Sequence, residues 1–128
     1  MNRLPVVLRV MLYAAFLVLL ATGVAWEASS PGPWAALLMK VHGGAAMLAL
    51  VLLGTLLMHH GPDGWASLKN RSSGVLALGA IAWLVVSGYL LYYAGGESLR
   101  HFASQSHLWV GMAAGVVVAL HIRRSAIP

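Results

Sequence analysis

Four long apolar segments, separated by short polar breaks, dominate this sequence. They cover residues 5–26, 34–58, 74–93 and 104–122. Each is close to the ~20 residues that a helix needs to cross the hydrocarbon of a bilayer. Because breaks this short make consecutive helices antiparallel neighbours, we predict an all-α integral membrane protein. Its expected architecture is an up-down bundle of four transmembrane helices that forms one domain over residues 1–128.

The composition supports a membrane protein and excludes several other classes. Only 9% of the residues are charged and 60% are hydrophobic, whereas a soluble domain carries about a quarter charged residues. The chain has no cysteine, which excludes disulfides, iron–sulfur clusters and covalent haem attachment. The net charge of +5 does not indicate a nucleic-acid partner, because the basic residues gather at the ends of the apolar segments.

The basic residues also predict the orientation in the membrane. Six of them fall on the same side of the predicted bundle: Arg3, Arg9, Lys69, Arg71, Arg123 and Arg124. Positively charged flanks face the cytoplasm, so we expect a multi-pass protein of a bacterial inner membrane with both termini cytoplasmic. A cleaved signal peptide is the alternative for the first segment.

A short internal repeat argues for a permanent first helix. The pair Thr22-Gly23 returns 65 residues later as Ser87-Gly88, and His42 returns 65 residues later as His107. The sequence therefore predicts two repeated helix pairs.

The histidines within the apolar segments are the candidate functional residues. His107 and His121 are fourteen residues apart with no charged residue between them, so they face nearly the same side of a helix, roughly 21 Å apart along its axis. An ionisable residue inside a membrane indicates a functional site, and imidazole is an axial ligand of haem iron. This spacing suits two stacked haems, one near each membrane surface.

We expect His42 and His107, related by the repeat, to ligate the outer haem. For the inner haem we expect His121 together with His60, or with His59 as the alternative. His60 lies closer to the helix face of His42, although at a longer axial spacing. Three other interpretations stay open: buried histidines hydrogen-bonded to a carbonyl or hydroxyl, an interfacial polar cap at His59-His60, and a single haem held by His42 and His107 alone.

Other residues near the predicted outer surface have supporting roles. Lys40 and Arg100 are candidate partners of haem propionates, and His101 is expected to be exposed in the outer loop. Gly43 and Gly44, which follow His42 directly, would leave room for a flat group.

The stretch from Ser87 to Arg124, SGYLLYYAGGESLRHFASQSHLWVGMAAGVVVALHIRR, resembles the last two helices of the four-helix di-haem cytochrome b family. That family includes the gamma subunits of formate dehydrogenases and the cytochrome b subunits of nickel–iron hydrogenases. The resemblance implies that His107 and His121 ligate different haems, that His42 completes the outer pair, and that a membrane quinone exchanges electrons. In the formate dehydrogenase type, helix one supplies the second inner ligand, whereas here that helix has no histidine.

Together these features predict a membrane electron-transfer subunit with two b-type haems. It would relay electrons between a periplasmic redox subunit or cytochrome c and the quinone pool or an inner partner. The chain would then be part of an oxidoreductase complex rather than an enzyme alone. A haem-free membrane anchor or assembly subunit is the alternative.

Overall fold

The structure, a computed structural model, describes residues 5–66 and 71–126, without the side chains of residues 59, 60, 63, 64 and 124–126. The described ranges hold four α-helices and no strand: α1 (Val6–Glu27), α2 (Pro33–Ala66), α3 (Arg71–Tyr93) and α4 (Glu97–Ala126). The prediction of an all-α chain with four membrane-length helices is confirmed.

The outer surface of the four helices is apolar and suited to contact with lipid. All four contain a span that is long and apolar enough to cross a membrane: Val6–Glu27, Pro33–Met58, Arg71–Tyr93 and Glu97–Arg123. Large apolar side chains are exposed along every one of them, whereas most of the buried hydrophobic residues are alanines. An apolar surface of this extent is not stable in water, while helices satisfy their own backbone groups inside a bilayer. The chain is therefore a multi-pass membrane protein.

The contacts divide the chain into two compact units, Met1–Leu68 and Lys69–Pro128. In the first, α1 packs against α2, and we call this pair hairpin 1. In the second, α3 packs against α4 to form hairpin 2. The two helices of each hairpin are antiparallel, joined by residues 28–32 in hairpin 1 and by residues 94–96 in hairpin 2. The predicted helix pairs thus correspond to two separate packing units.

Two predicted loops are shorter than the sequence suggested, because the helices continue past the apolar segments. Helix α2 extends to Ala66 and contains Pro62, and α4 begins at Glu97, so that Arg100 and His101 are helical rather than in a loop. Hydropathy detects only the part of a helix that lies in the hydrocarbon of the membrane, whereas the backbone hydrogen bonds of the helix continue into the polar segments that follow. Glu97 in the first turn of α4 stabilises the helix because its negative charge lies near the positive, N-terminal end of the helix dipole.

Small residues allow the helices of hairpin 2 to approach closely. Ala103 of α4 is 0% exposed, and Ala114 lies equally deep on the same helix. Small side chains at helix interfaces are typical of membrane helices, where van der Waals packing drives association.

We predict that Ala103→Leu destabilises hairpin 2 by about 1–3 kcal/mol, because the closely packed interface has no room for three more carbon atoms. The measurement is thermal unfolding in detergent, followed by circular dichroism. Ala113→Leu is the matched control, because Ala113 is exposed on the same helix. Equal melting temperatures for the two variants would contradict the tight packing at Ala103.

Candidate functional site

Every buried polar side chain that the structure describes contacts a histidine. These side chains are Thr22, Ser73 and Ser87, which are 8%, 9% and 0% exposed. Each is followed in sequence by a glycine, and its hydroxyl lies within hydrogen-bond distance of an imidazole on the next helix. We call the three residues together, hydroxyl, glycine and histidine, an imidazole unit. The described part of the chain has three such units.

The unit of hairpin 1 consists of Thr22, Gly23 and His42. Thr22 Oγ1 donates its hydrogen to the Val18 carbonyl, one turn earlier, at 2.6 Å. The same oxygen is 2.9 Å from His42 Nδ1. A hydroxyl has only one hydrogen, so the ring N–H donates to Thr22 and the second ring nitrogen, Nε2, carries the lone pair.

Hairpin 2 repeats this arrangement with Ser87, Gly88 and His107. Ser87 Oγ donates to the Trp83 carbonyl at 2.7 Å and lies 2.9 Å from His107 Nδ1. Both distances match those of the Thr22 unit to within 0.1 Å. The predicted equivalence of His42 and His107 therefore extends to the hydroxyl that holds each ring.

A third unit, Ser73, Gly74 and His121, lies at the other end of hairpin 2. Ser73 Oγ is 3.0 Å from His121 Nδ1. Ser73 and Ser87 are fourteen residues apart on α3, and His107 and His121 are fourteen residues apart on α4. Each spacing corresponds to roughly 21 Å of helix. Hairpin 2 therefore carries one imidazole unit near each end of its membrane span.

The edge of each ring lies beside the glycine of its unit. A Cβ added at Gly23, Gly74 or Gly88 would be 3.5 Å from the Cε1 atom of the histidine in its unit. No atom lies within 4 Å of a Cβ added at Gly79 of the same α3 helix. Gly23, Gly74 and Gly88 thus differ from Gly79 by their contact with an imidazole.

Sequence reasoning missed Ser73 and Gly74, although the sequence contains a signal for them. In an antiparallel hairpin, paired residues lie at equal distances from the turn. Ser87 and His107 are ten residues on either side of Glu97, and Ser73 and His121 are twenty-four residues on either side. The same symmetry applied to His121 would have identified Ser73.

Hairpin 1 has no equivalent of the Ser73 unit at the repeat-related positions. Sixty-five residues before Ser73 and His121, the chain has Leu8 and Leu56. Both are apolar, so the hydroxyl and the imidazole are absent together. The Thr22 unit of hairpin 1 and the Ser87 unit of hairpin 2 are therefore equivalent, whereas the Ser73 unit of hairpin 2 has no counterpart at the repeat-related positions.

The remaining predicted residues take varied positions. His42, His107 and His121 are half-buried, whereas Lys40, Arg100 and His101 are exposed. His59 and His60 belong to the backbone of α2, but their side chains lie outside the described residues. Over residues 5–66 and 71–126, the described side chains include no group of three or more His, Cys, Asp or Glu placed to hold a metal ion.

The surfaces beside the shared units also differ. In hairpin 1 an open apolar groove of about 410 Å³ has Val18 and Gly44 among its lining residues, and a Cβ at Gly44 would contact nothing within 4 Å. At the repeat-related positions hairpin 2 has Trp83 and Trp109. Gly44 thus leaves space at the surface of hairpin 1.

We predict that Gly88→Leu lowers the stability of hairpin 2 by roughly 1–3 kcal/mol, because the larger side chain must displace the His107 ring. Thermal unfolding and the NMR signals of the His107 ring nitrogens would report the change. Gly79→Leu on the same helix is the control, since space is open there. If both variants keep the parent's melting temperature and ring signals, the close glycine contact has no structural role.

Comparisons with known proteins returned no match for this chain. No protein-family model, curated protein or solved structure is significantly similar to it. Its function is therefore inferred from the three imidazole units and their positions in the membrane spans.

Proposed function

We propose that this chain is a membrane electron-transfer subunit that binds two b-type haems. It relays electrons between a periplasmic redox subunit or cytochrome c and the quinone pool or an inner partner. The observation that carries this proposal is the common geometry of His42, His107 and His121, each with Nδ1 next to a buried hydroxyl.

This geometry suits imidazoles that ligate a metal. A metal-ligating histidine almost always donates its other ring N–H to a fixed acceptor, which sets the tautomer and the orientation of the ring. In the Thr22 and Ser87 units the hydroxyl hydrogen goes to a backbone carbonyl, so the oxygen is the acceptor and Nδ1 the donor. The lone pair of Nε2 is then the ligating electron pair.

A b-type haem fits this donor set. Two imidazoles would hold it, whereas a structural zinc site needs four protein ligands. We propose His42 and His107, one from each hairpin, for the outer haem. When bound, the haem would supply one-electron chemistry, and holding it with both imidazoles would favour electron relay over oxygen chemistry.

For the inner haem we propose His121, which the Ser73 unit holds in the same way. The hairpin 1 position related to His121 by the repeat is Leu56, so the second ligand must come from elsewhere. His60, with His59 as the alternative, remains our proposal. Both belong to α2, which continues to Ala66.

Two basic residues near the outer ends of α2 and α4 are the proposed partners of the haem propionates. Lys40 is two residues from His42, and Arg100 is seven residues before His107. Both side chains are exposed and long, so we propose that they contact the outer haem propionates. A periplasmic redox partner and the quinone complete the electron pathway.

The decisive test is a reduced-minus-oxidised visible spectrum of the purified protein, together with the haem-to-protein ratio. We expect two b-type haems per chain. His42→Ala and His107→Ala should each lose the outer haem, and His121→Ala the inner one, because an iron with one remaining imidazole binds more weakly. Comparing His59→Ala with His60→Ala then identifies the remaining inner ligand.

His101→Ala is the matched control, since His101 is exposed on α4 and should leave both haems in place. One haem per chain would remove the inner site and keep the outer pair. No haem after expression with excess haem would overturn the proposal in favour of a membrane anchor, in which the imidazole units only join helices.

We further propose that the protein lies in a bacterial inner membrane with both termini in the cytoplasm. The chain has no cysteine, so a single introduced one reports on one position. We expect Ser30→Cys, in the exposed connection of hairpin 1, to react with a membrane-impermeant maleimide applied to spheroplasts. Ser72→Cys, exposed at the start of α3, should react only after the membrane is permeabilised. The reverse pattern would mean the opposite orientation.

A further inference from the structure

We propose that Thr22, Ser87 and Ser73 are positioning residues that fix the protonation of the three imidazoles and raise the basicity of their ligating nitrogens. This inference rests on the proposed haem binding, which it deepens. It predicts that these hydroxyls lower the reduction potential of the haem whose ligand they hold.

The first step is the direction of the hydrogen bonds. The Thr22 and Ser87 hydroxyls lie 2.6 Å and 2.7 Å from the carbonyls of Val18 and Trp83, within their own helices. A carbonyl oxygen has no hydrogen to give, so each hydroxyl is the donor in that bond. The neighbouring imidazole must then donate from Nδ1, which makes Nε2 the acceptor nitrogen of the ring.

The second step is polarisation along this chain of bonds. The order runs from ring N–H to hydroxyl oxygen, and from hydroxyl hydrogen to backbone carbonyl. Hydrogen bonds in such a chain strengthen one another, particularly where water is excluded. Ser87 is 0% exposed, so its oxygen is an acceptor that solvent does not compete for. The ring consequently gains electron density, which favours the oxidised state of a ligated iron.

The third step is the joint occurrence of hydroxyl and imidazole. Hairpin 1 has leucine at both positions related to the Ser73 unit, Leu8 and Leu56. Both leucines are half-buried, so these positions still serve helix packing. The hydroxyl is thus present where there is an imidazole to hold, and both are absent where leucines occupy the two positions.

The test uses Ser87→Ala and Ser87→Thr in the full-length haem-loaded protein. A redox titration followed by visible spectroscopy measures the midpoint potential of each haem. We expect Ser87→Ala to shift the outer haem to a more positive potential and to leave the inner haem unchanged. Ser87→Thr should restore the parent's potential, because threonine holds the equivalent imidazole in hairpin 1.

Ser106→Ala is the matched control. Ser106 is adjacent to His107, and its hydroxyl donates to the Ala103 carbonyl of its own helix at 3.2 Å. Its removal should not shift either potential. An unchanged outer potential in Ser87→Ala, or an equal shift in Ser106→Ala, would overturn the proposal. Loss of the outer haem in Ser87→Ala with retention in Ser87→Thr would support it, because threonine keeps the hydroxyl that alanine lacks.

A second measurement separates this inference from the haem proposal. Nitrogen-15 NMR of the haem-free protein identifies which ring nitrogen of each histidine carries the proton. We expect Nδ1–H for His42 and His107, with loss of that preference for His107 in Ser87→Ala. A protein that never binds haem but shows this tautomer would refute the proposed function alone. The opposite tautomer, or a preference unaffected by Ser87→Ala, would refute the positioning role.

Discussion

The hydrogen bond between a buried hydroxyl and an imidazole is the interaction on which the rest of the structure depends. A hydroxyl and an imidazole in lipid are each costly unless they are paired. Here the hydroxyl donates a hydrogen bond to a backbone carbonyl of its own helix, and its oxygen accepts a hydrogen bond from the imidazole of the other helix. Among the described residues, no buried side-chain nitrogen or oxygen lacks a partner. Each hairpin thus keeps an ionisable residue within its membrane span through a two-bond chain.

This interaction also explains the glycines and alanines around it. An imidazole can reach a hydroxyl on the neighbouring helix only if the two backbones are close. The edge of the His107 ring lies beside Gly88, next to Ser87, and buried alanines pack between the helices elsewhere. The small residues and the polar pair are therefore parts of one arrangement rather than separate features.

The sequence predicted the helices well because hydropathy reports directly on lipid contact. It placed helix ends less well, as at Glu97 and Ala66, because the residues beyond the hydrocarbon form helix for local reasons. Periodicity and the repeat identified His42, His107 and His121, whereas the roles of Ser73 and Gly74 were missed. Their detection depends on which residues of antiparallel helices face each other, and a comparison of parallel repeats does not contain that information. The tautomers of His42 and His107 likewise follow only from the direction of the Thr22 and Ser87 hydroxyl bonds, which requires coordinates.

Because each imidazole unit lies within one hairpin, the contacts of a unit can form as soon as its own hairpin has been synthesised. Hairpin 1 leaves the ribosome and enters the membrane before hairpin 2 exists, and its Thr22–His42 contact needs nothing from the later part of the chain. Each hairpin can therefore hold an oriented ring without any contact from the later part of the chain. The entropy cost of orienting each ring would be met during membrane insertion and not at the moment when the ring binds a ligand.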